Sequence, residues 1–280
     1  MRVEVGVRMS SRGHLFFLLI TLVTTCAACQ AASLPDALIG RWQVIEVHIN
    51  TNATAKTNYG WNDARLRWRI FTFTSTELSN DAADGSNCEA PQVAVTNMPA
   101  MRLMDDSLAH TGGSASDPEA HPSPTAYELK IDPNELVKVI SVHCKDGLWE
   151  GDLGTGKGVE GAWMFFTHSG QLVIRWRDET LLVLDRLPAD AKPRPSFDCL
   201  HARSPAEKTI CGSLQLAAFD RSVNWSYKVT RDDIKDTDVS SAQLAGSQRA
   251  WLRKRDACGT NASCLLSVMQ RRLEELSSYP

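Results

Sequence analysis

The hydrophobic pattern of this chain changes its period once along the sequence, and that change does most to limit the possible folds. Over residues 35–187, apolar and polar residues alternate, which is typical of strands with one buried face. Beyond residue 196, apolar residues recur every three or four positions, which is typical of amphipathic helices. Residues 188–195 between them read PADAKPRP and have the composition of a semi-rigid linker. The sequence therefore predicts an α+β protein with a β domain at 35–187 and a helical domain at 196–280.

The β domain is predicted to contain many short strands with no helix between them. Leu66, Trp68 and Ile70 interleave with arginines, and a hairpin joins LVIRW to TLLVLDR. Further strands are predicted at Trp42–Ile49, Tyr127–Ile131, Leu136–Cys144 and Ala162–Thr167. Residues 105–126 contain TGGSASDPEAHPSP and are predicted to form a long surface loop. This series of strands favours an antiparallel β-barrel or a sandwich.

Gly40 and Trp42 lie at the start of the β domain, and Arg186 lies at its end. These three residues resemble the signature of a lipocalin-type barrel. That family carries Gly-x-Trp on its first strand and an arginine near its last strand that packs across the indole ring. The resemblance implies that Arg186 covers Trp42 and closes one end of a barrel, with a cation–π contact as the physical gain. The alternative is a sandwich in which Trp42 is simply a core residue.

The first 32 residues predict an export signal. Arg2, Arg8 and Arg12 precede LFFLLITLVTT, which has the length of a signal-peptide core and is too short to span a bilayer. The following CAAC resembles the site at which bacterial lipoproteins are cut before a lipid-carrying cysteine, and this resemblance implies lipid on Cys29. Cleavage after Ala32 is the alternative. The predicted location is the periplasm or the outer membrane, with membrane contact only through such a lipid.

No enzymatic activity, cofactor or metal is predicted. Residues 151–158, GDLGTGKG, nearly match the phosphate-binding pattern G-x-x-x-x-G-K-[ST], but Gly158 replaces the hydroxyl that would bind Mg²⁺. Its four glycines do not start a helix, so we interpret the segment as a hairpin tip between Trp149 and Trp163. The seven histidines are scattered without metal-ligand spacing, and no Ser-His-acid set is evident.

Charge is distributed unevenly between the two domains. Residues 33–195 contain 15 Lys and Arg against 22 Asp and Glu, whereas residues 196–280 contain 12 against 10. Nucleic acid is not expected to bind the acidic β domain, because binding to phosphates requires positive charge.

The helical domain is predicted to begin at a capped helix and to contain three helices. Ser204 is a good N-cap, Pro205 suits the first turn, and Glu207 completes a capping box. The predicted apolar faces are formed by Leu216, Phe219, Val223 and Tyr227, then by Leu244, Trp251, Leu252 and Arg255, and finally by Cys264, Leu265, Val268, Arg272 and Leu276. Such a small core favours additional stabilisation by disulfides.

Residues 196–280 contain F-D-C, a capped Glu ahead of I-C, L-x-x-x-D with a following Tyr, Q-x-x-W-L-x-x-R-x-x-C, and C-L with an R-x-x-x-L ending. The residues in these motifs are Phe197, Asp198, Cys199, Glu207, Ile210, Cys211, Leu216, Asp220, Tyr227, Gln248, Trp251, Leu252, Arg255, Cys258, Cys264, Leu265, Arg272 and Leu276. In these motifs and their spacing, residues 196–280 resemble the LprI-type lysozyme-inhibitor family. Phe219 stands where the family usually has Leu.

This resemblance implies an exported inhibitor that binds a lysozyme, or a related cationic wall-degrading enzyme, without covalent chemistry. Acidic surfaces would attract such a partner. The candidate partner-binding residues in the helical domain are Asp232, Asp233, Asp236 and Asp238. The alternative functions are a carrier that holds a lipid or small ligand in the barrel, and a structural envelope protein.

Six cysteines follow the export signal, and an even number in an exported chain indicates disulfides. In the helical domain, pairing of Cys199 with Cys211 and of Cys258 with Cys264 would fix two turns. Pairing of Cys199 with Cys258 and of Cys211 with Cys264 is the alternative, and Cys88 and Cys144 remain for the β domain. Asp220 and Arg255 are expected to pair between helices, a contact that would set the helix register.

Overall fold

The computed structural model describes residues 33–53, 57–108, 121–153, 159–236 and 241–279. Residues 31–280 form one compact unit. The predicted export signal with Cys29 and most of the glycine-rich segment, residues 154–158, lie outside the described residues. Among the helices that are described, none combines the length and the apolar character needed to cross a membrane.

The β domain is a single antiparallel sheet that curls into a half-barrel. Its strands are β1 (Gly40–His48), β2 (Ile70–Phe73), β3 (Glu77–Asn80), β4 (Cys88–Glu89), β5 (Gln92–Pro99), β6 (Leu136–Cys144), β7 (Gly147–Leu148), β8 (Trp163–Phe166), β9 (Leu172–Trp176) and β10 (Thr180–Leu187). They lie in the order β4-β3-β2-β1-β10-β9-β8-β6-β5, and β7 pairs with β6. Strands β9 and β10 follow each other in the chain and pair as an antiparallel hairpin, as the sequence predicts.

The two sides of the curled sheet are joined where β4 meets the end of β6. Cys88 and Cys144 form a disulfide between them. Next to it, the Lys145 N–H donates a hydrogen bond of 3.0 Å to the Glu89 carbonyl oxygen. Because these strands stand far apart in the order of the sheet, the bond holds the curl closed on this side.

Arg186 closes one end of the half-barrel over Trp42, as the lipocalin-type resemblance implied. Its guanidinium carbon lies 4.4 Å from the centre of the indole ring, and its Nη1 donates a hydrogen bond of 2.5 Å to the Ile39 carbonyl oxygen. The indole Nε1 donates to the Leu38 carbonyl oxygen at 2.8 Å. Gly40 has φ +135°, and a Cβ there would lie 2.6 Å from the guanidinium, so glycine is required at this position.

The enclosed face of the half-barrel is filled by aromatic side chains. One hydrophobic cluster contains residues from strands at both ends of the curled sheet. Such residues can meet only inside the curl, so this cluster fills the enclosed face. Phe71 and Trp176 meet edge to face with ring centres 5.2 Å apart, and Trp149 packs 6.2 Å from Trp176. Trp42 and Phe73 complete this aromatic set, and all five rings are fully buried.

The outer face of strands β8–β10 is covered by helix α1 (Ala100–Leu108). Leu103 and Met104 of α1 are buried in the same cluster as Trp163, whose Nε1 donates a hydrogen bond of 3.0 Å to Ser107 Oγ. The prediction that the β domain has no helix was therefore wrong. The loop predicted over residues 105–126 was wrong at its start, because residues 105–108 belong to α1, and residues 109–120 lie outside the described part.

Two predicted strands are turns in the structure. Residues 64–68 form a turn, so the alternation around Leu66 and Trp68 precedes β2 rather than belonging to it. Residues 127–131 form turns in which the Tyr127 N–H donates to the Ser123 carbonyl oxygen at 3.1 Å. Both segments pack through large apolar side chains but belong to no strand, so the alternating pattern alone misidentified them. Strands β3, β4, β5 and β7 were not predicted.

The helical domain contains α2 (Pro205–Cys211), α3 (Leu214–Asp233), α4 (Ser241–Ala257) and α5 (Ala262–Ser277). The capping box at Ser204 and Glu207 is present as predicted. Ser213 caps a second helix directly after the first, and this break is why four α-helices replace the predicted three. Cys199 is bonded to Cys211, and Cys258 to Cys264, so both disulfides are local.

The helical domain packs against the half-barrel at the turn before β2. The fully buried Arg69 side chain lies 3.3 Å above the ring centre of Phe219 in α3, and its Nη2 donates a hydrogen bond of 2.8 Å to Ser222 Oγ. Ser222 Oγ in turn donates to the Arg67 carbonyl oxygen at 3.1 Å. Burial lowers the pKa of Arg69 to about 10 because the charged form loses solvation, and Asp81 only partly offsets this.

Candidate partner-binding surface

Three of the four predicted partner-binding aspartates, Asp232, Asp233 and Asp236, lie around the end of α3. Asp232 pairs with Arg231 at 3.2 Å and with Lys235 at 3.0 Å. Hydrogen bonds from Lys235 and then from Arg231 lower the pKa of the Asp232 carboxyl. Asp236 ends a short 3-10 turn at Ile234–Asp236, and Asp238 lies outside the described residues. The charge of Asp232 is thus already balanced within the chain.

Asp233 instead borders an open groove between the two domains. The groove has a volume of about 310 Å³. One wall is the loop that precedes β2, and the other wall is formed by α3 and α5 together with Tyr279. The large side chains at its surface are Trp61, Trp225 and Val229. We call this feature the Trp61–Trp225 groove.

Both tryptophans of the groove are supported by neighbouring rings. The Trp61 ring lies 4.3 Å from the buried His48 imidazole, between ring centres, and the two planes are tilted by 36°. The Trp225 ring meets the Trp68 ring edge to face at 6.4 Å. Arg67 lies 5.1 Å from the centre of the Trp225 ring, so part of that ring already faces a cation of this chain. These contacts fix the orientation of both rings before any partner arrives.

The walls of the groove contain three charged residues. Arg65 is held by Asp63 through two hydrogen bonds, from Nε at 3.0 Å and from Nη2 at 2.8 Å. Asp233 is exposed and forms no ion pair with any residue that the structure describes. Glu274 of α5 approaches Arg65 only to 3.9 Å and is exposed to solvent. Since Asp63 neutralises Arg65, the groove has a net negative charge.

The Asp220 and Arg255 side chains meet between α3 and α4, away from this groove. Arg255 Nη1 lies 3.4 Å from Asp220 Oδ1, and both residues are buried. Burial raises the pKa of the Asp220 carboxyl, although hydrogen bonding to Ser196 opposes this shift. Arg272 belongs to a different network, in which its Nε donates to Gln248 Oε1 at 3.1 Å. These contacts hold the helices together.

The acidic residues near the β9–β10 turn are arranged around a single arginine. Arg177 Nη2 lies 2.7 Å from Glu150 Oε2, and Nη1 lies 2.6 Å from Asp152 Oδ2. Asp84 contributes a backbone carbonyl oxygen that accepts from Arg177 Nε at 2.6 Å. Within the described ranges, no group of three or more His, Cys, Asp or Glu residues is placed to hold a metal ion. We therefore interpret this cluster as part of the framework.

The sequence analysis proposed Asp233 as a partner-binding residue but did not single out the aromatic residues that line the same groove. The predicted apolar face of α3 contains Leu216, Phe219 and Val223, and Trp225 lies off that face. Val229 follows Trp225 by four residues and so shares its side of the helix. An apolar i, i+4 pair away from the core face was the available signal for an interaction surface.

Comparison with known proteins found one family model, and it matches part of the helical domain. Residues 199–276 match the model described as lysozyme inhibitor LprI, and the matched part is less than a third of the chain. No curated protein and no solved structure matched the chain. The match covers α2–α5 with both of their disulfides and leaves the half-barrel outside it. The C-terminal domain thus matches the LprI lysozyme-inhibitor family, in agreement with the resemblance seen in its sequence.

Proposed function

We propose that this protein is exported to the bacterial envelope and inhibits a lysozyme, or a related cationic wall-degrading enzyme, by non-covalent binding. The observation that carries the proposal is the LprI family match over residues 199–276. Inhibition by binding needs a surface rather than a catalytic set. The open groove between the two domains provides such a surface.

The charge of the chain supports a cationic partner. Residues 33–195 carry 22 acidic and 15 basic residues. An excess of negative charge accelerates the encounter with a positively charged enzyme and disfavours partners of the same sign. This contribution to binding weakens as salt shortens the range of the electrostatic field.

The packing of the half-barrel does not favour the carrier hypothesis. A carrier needs an apolar cavity of several hundred cubic ångströms, lined by side chains that do not fill it. Here the enclosed face holds five fully buried aromatic rings, and four of them, Phe71, Phe73, Trp149 and Trp176, contact one another edge to face. We therefore place the interaction on the outside of the molecule.

The proposed location follows from the sequence of the first 32 residues. A Cys29 lipid would anchor the mature protein to a membrane, whereas cleavage after Ala32 would release it. Replacement of Cys29 by serine separates these cases. Loss of the protein from the membrane fraction of cells producing Cys29→Ser would support the anchor, and an unchanged distribution would exclude it.

A lysis assay with the complete mature protein tests the inhibitor proposal. Cell-wall suspensions are cleared by lysozymes of several structural classes in the presence of increasing amounts of the oxidised protein. We expect clearing to slow in proportion to the amount of protein up to one equivalent, and the effect to weaken in high salt. If no lysozyme is slowed at tenfold molar excess, the proposal is wrong.

The complete protein is the correct material for this assay. Separating the domains would expose Arg69 and Phe219, which are buried against each other. A half with such an exposed surface aggregates readily, and its failure to inhibit would not identify the binding domain.

A further inference from the structure

We propose that the Trp61–Trp225 groove receives a lysine or arginine side chain of the partner, held against the Trp61 ring and paired with Asp233. The identity of the partner as a lysozyme rests on the proposed function. The chemistry of the groove is argued from its own residues. It is an anchoring pocket for one long cationic side chain on the surface of another protein.

Exposed apolar side chains are concentrated at this groove. Seven large hydrophobic residues are exposed in the described part of the chain, and three of them line it: Trp61 at 38%, Trp225 at 37% and Val229 at 40% exposure. Tryptophans that sit in pockets carry a large share of the binding energy at protein interfaces. The other four exposed residues, Val95, Met101, Leu136 and Leu200, lie elsewhere on the chain.

The Trp61 ring is the surface most suited to a cation. One side of it rests on the buried His48 imidazole, and the residue also lines the groove. A cation over an indole face is attracted by the ring quadrupole, most strongly for tryptophan. Trp225 already has Arg67 at 5.1 Å, so we assign to Trp225 and Val229 the role of apolar wall against the aliphatic stem.

Asp233 supplies the opposite charge. It is exposed, lines the groove and has no ion pair among the described residues, whereas Asp63 in the same wall is fully engaged by Arg65. An exposed carboxylate that is free of internal partners can pair with an incoming ammonium or guanidinium group. Asp232, one position earlier, cannot do so without breaking its pairs with Arg231 and Lys235.

Both domains are needed to build this pocket. Trp61 belongs to the loop before β2, and Asp233 belongs to the end of α3. The two walls are fixed relative to each other by the buried contact of Arg69 with Phe219 and Ser222. The half-barrel therefore contributes to recognition, although the family match covers only the helical domain.

Variants of the complete oxidised protein test the assignment. Trp61→Leu keeps apolar bulk but removes the ring, Trp61→Phe keeps a weaker ring, and Asp233→Asn removes only the charge. Asp232→Asn and Leu200→Ala are the matched controls, because Asp232 is internally paired and Leu200 is exposed outside the groove. Circular dichroism and thermal melting establish that each variant is folded.

Dissociation constants are measured first, by calorimetry, with a lysozyme that the wild type inhibits. We expect Trp61→Leu and Asp233→Asn each to weaken binding by about tenfold, Trp61→Phe to fall between Trp61→Leu and wild type, and both controls to stay within about twofold of wild type. If the wild type inhibits the lysozyme but Trp61→Leu and Asp233→Asn bind it with unchanged affinity, the groove assignment is wrong. The inhibitor function is not contradicted by that result.

A second measurement does not depend on lysozyme. The indole N–H resonance of Trp61, assigned with Trp61→Phe, is followed by NMR while N-acetyl-arginine amide or N-acetyl-lysine amide is added, with N-acetyl-glutamine amide as neutral control. A saturable shift with the two cations only, lost in Asp233→Asn and kept in Asp232→Asn, supports the groove even if every lysozyme test fails. No shift with either cation, together with no inhibition, overturns both proposals.

Discussion

Replacing Cys88 and Cys144 together by alanine removes the covalent link between the two sides of the curled sheet. The two cysteines are 56 residues apart in sequence, whereas the other bonded pairs are separated by 12 and 6 residues. A disulfide restricts the unfolded chain more when it closes a longer loop. We therefore expect the three bonds to differ in their contribution to stability in the order of these separations.

Chain-entropy arithmetic gives the expected sizes. The loop closed by Cys88 and Cys144 corresponds to about 4 kcal/mol at 25 °C, and the 12- and 6-residue separations correspond to about 3 and about 2 kcal/mol. For a folded unit of this size, about 4 kcal/mol lowers the melting temperature by about 10 °C. The fully buried Cys88 side chain adds a packing loss of the same sign.

Urea unfolding of the three double-alanine variants, followed by tryptophan fluorescence at pH 7, measures these differences. The Cys88→Ala/Cys144→Ala variant is expected to lose the most free energy of unfolding, and the variant lacking Cys258 and Cys264 the least. The wild type treated with reductant should approach the stability of a variant that lacks all three bonds. If the bond of shortest separation proves to contribute most, restriction of the unfolded chain is not what these disulfides supply.

Three further substitutions test the framework by urea unfolding. Arg186→Met removes the cation–π contact with Trp42 and two hydrogen bonds to carbonyl oxygens, and we expect a loss of about 2 kcal/mol; no loss would contradict the closing role. Ser222→Val leaves the buried Arg69 without its hydrogen bond, for a loss of about 2–3 kcal/mol, and a variant as stable as wild type would refute that account of the domain contact. Burial raises the pKa of the Asp81 carboxyl in the folded protein. At pH values between the unfolded and folded pKa of Asp81, folding therefore takes up a proton, and the free energy of unfolding falls as pH rises through this range. Asp81→Asn should therefore be more stable than wild type at pH 7, and the difference should vanish below about pH 4; a difference independent of pH would exclude the carboxyl as its cause.

Local features of the sequence determined the architecture of the helical domain. The capping box at Ser204 and Glu207, the cysteine spacings and the apolar periodicity each act over a few residues, so they can be recognised in the printed chain. The contact of Arg186 with Trp42 was also predicted, because a family resemblance supplied the long-range pairing that periodicity cannot.

The alternating pattern of the β domain was a less certain guide. It placed a strand at residues 65–69 and at Tyr127–Ile131, where the chain forms turns, and it overlooked helix α1. Strands β8–β10 are buried on both faces, so the apolar residues of α1 and of the turn around Tyr127 pack against a sheet that has no solvent side there. Burial on both faces removes the contrast between apolar and polar positions on which such predictions depend.

The sequence by itself determined that the chain has a β part and a helical part with disulfides. It also showed that Asp233 does not belong to the apolar face predicted for the helix that became α3. Only the tertiary structure decided that Trp61 and Trp225 face one groove beside Asp233. Trp61 is separated from Trp225 and Asp233 by more than 160 positions along the chain. Their meeting depends on the packing of Phe219 and Ser222 against the buried Arg69. Contacts at such distance arise from the complementary surfaces of two folded parts, which leave no periodic signal in either segment.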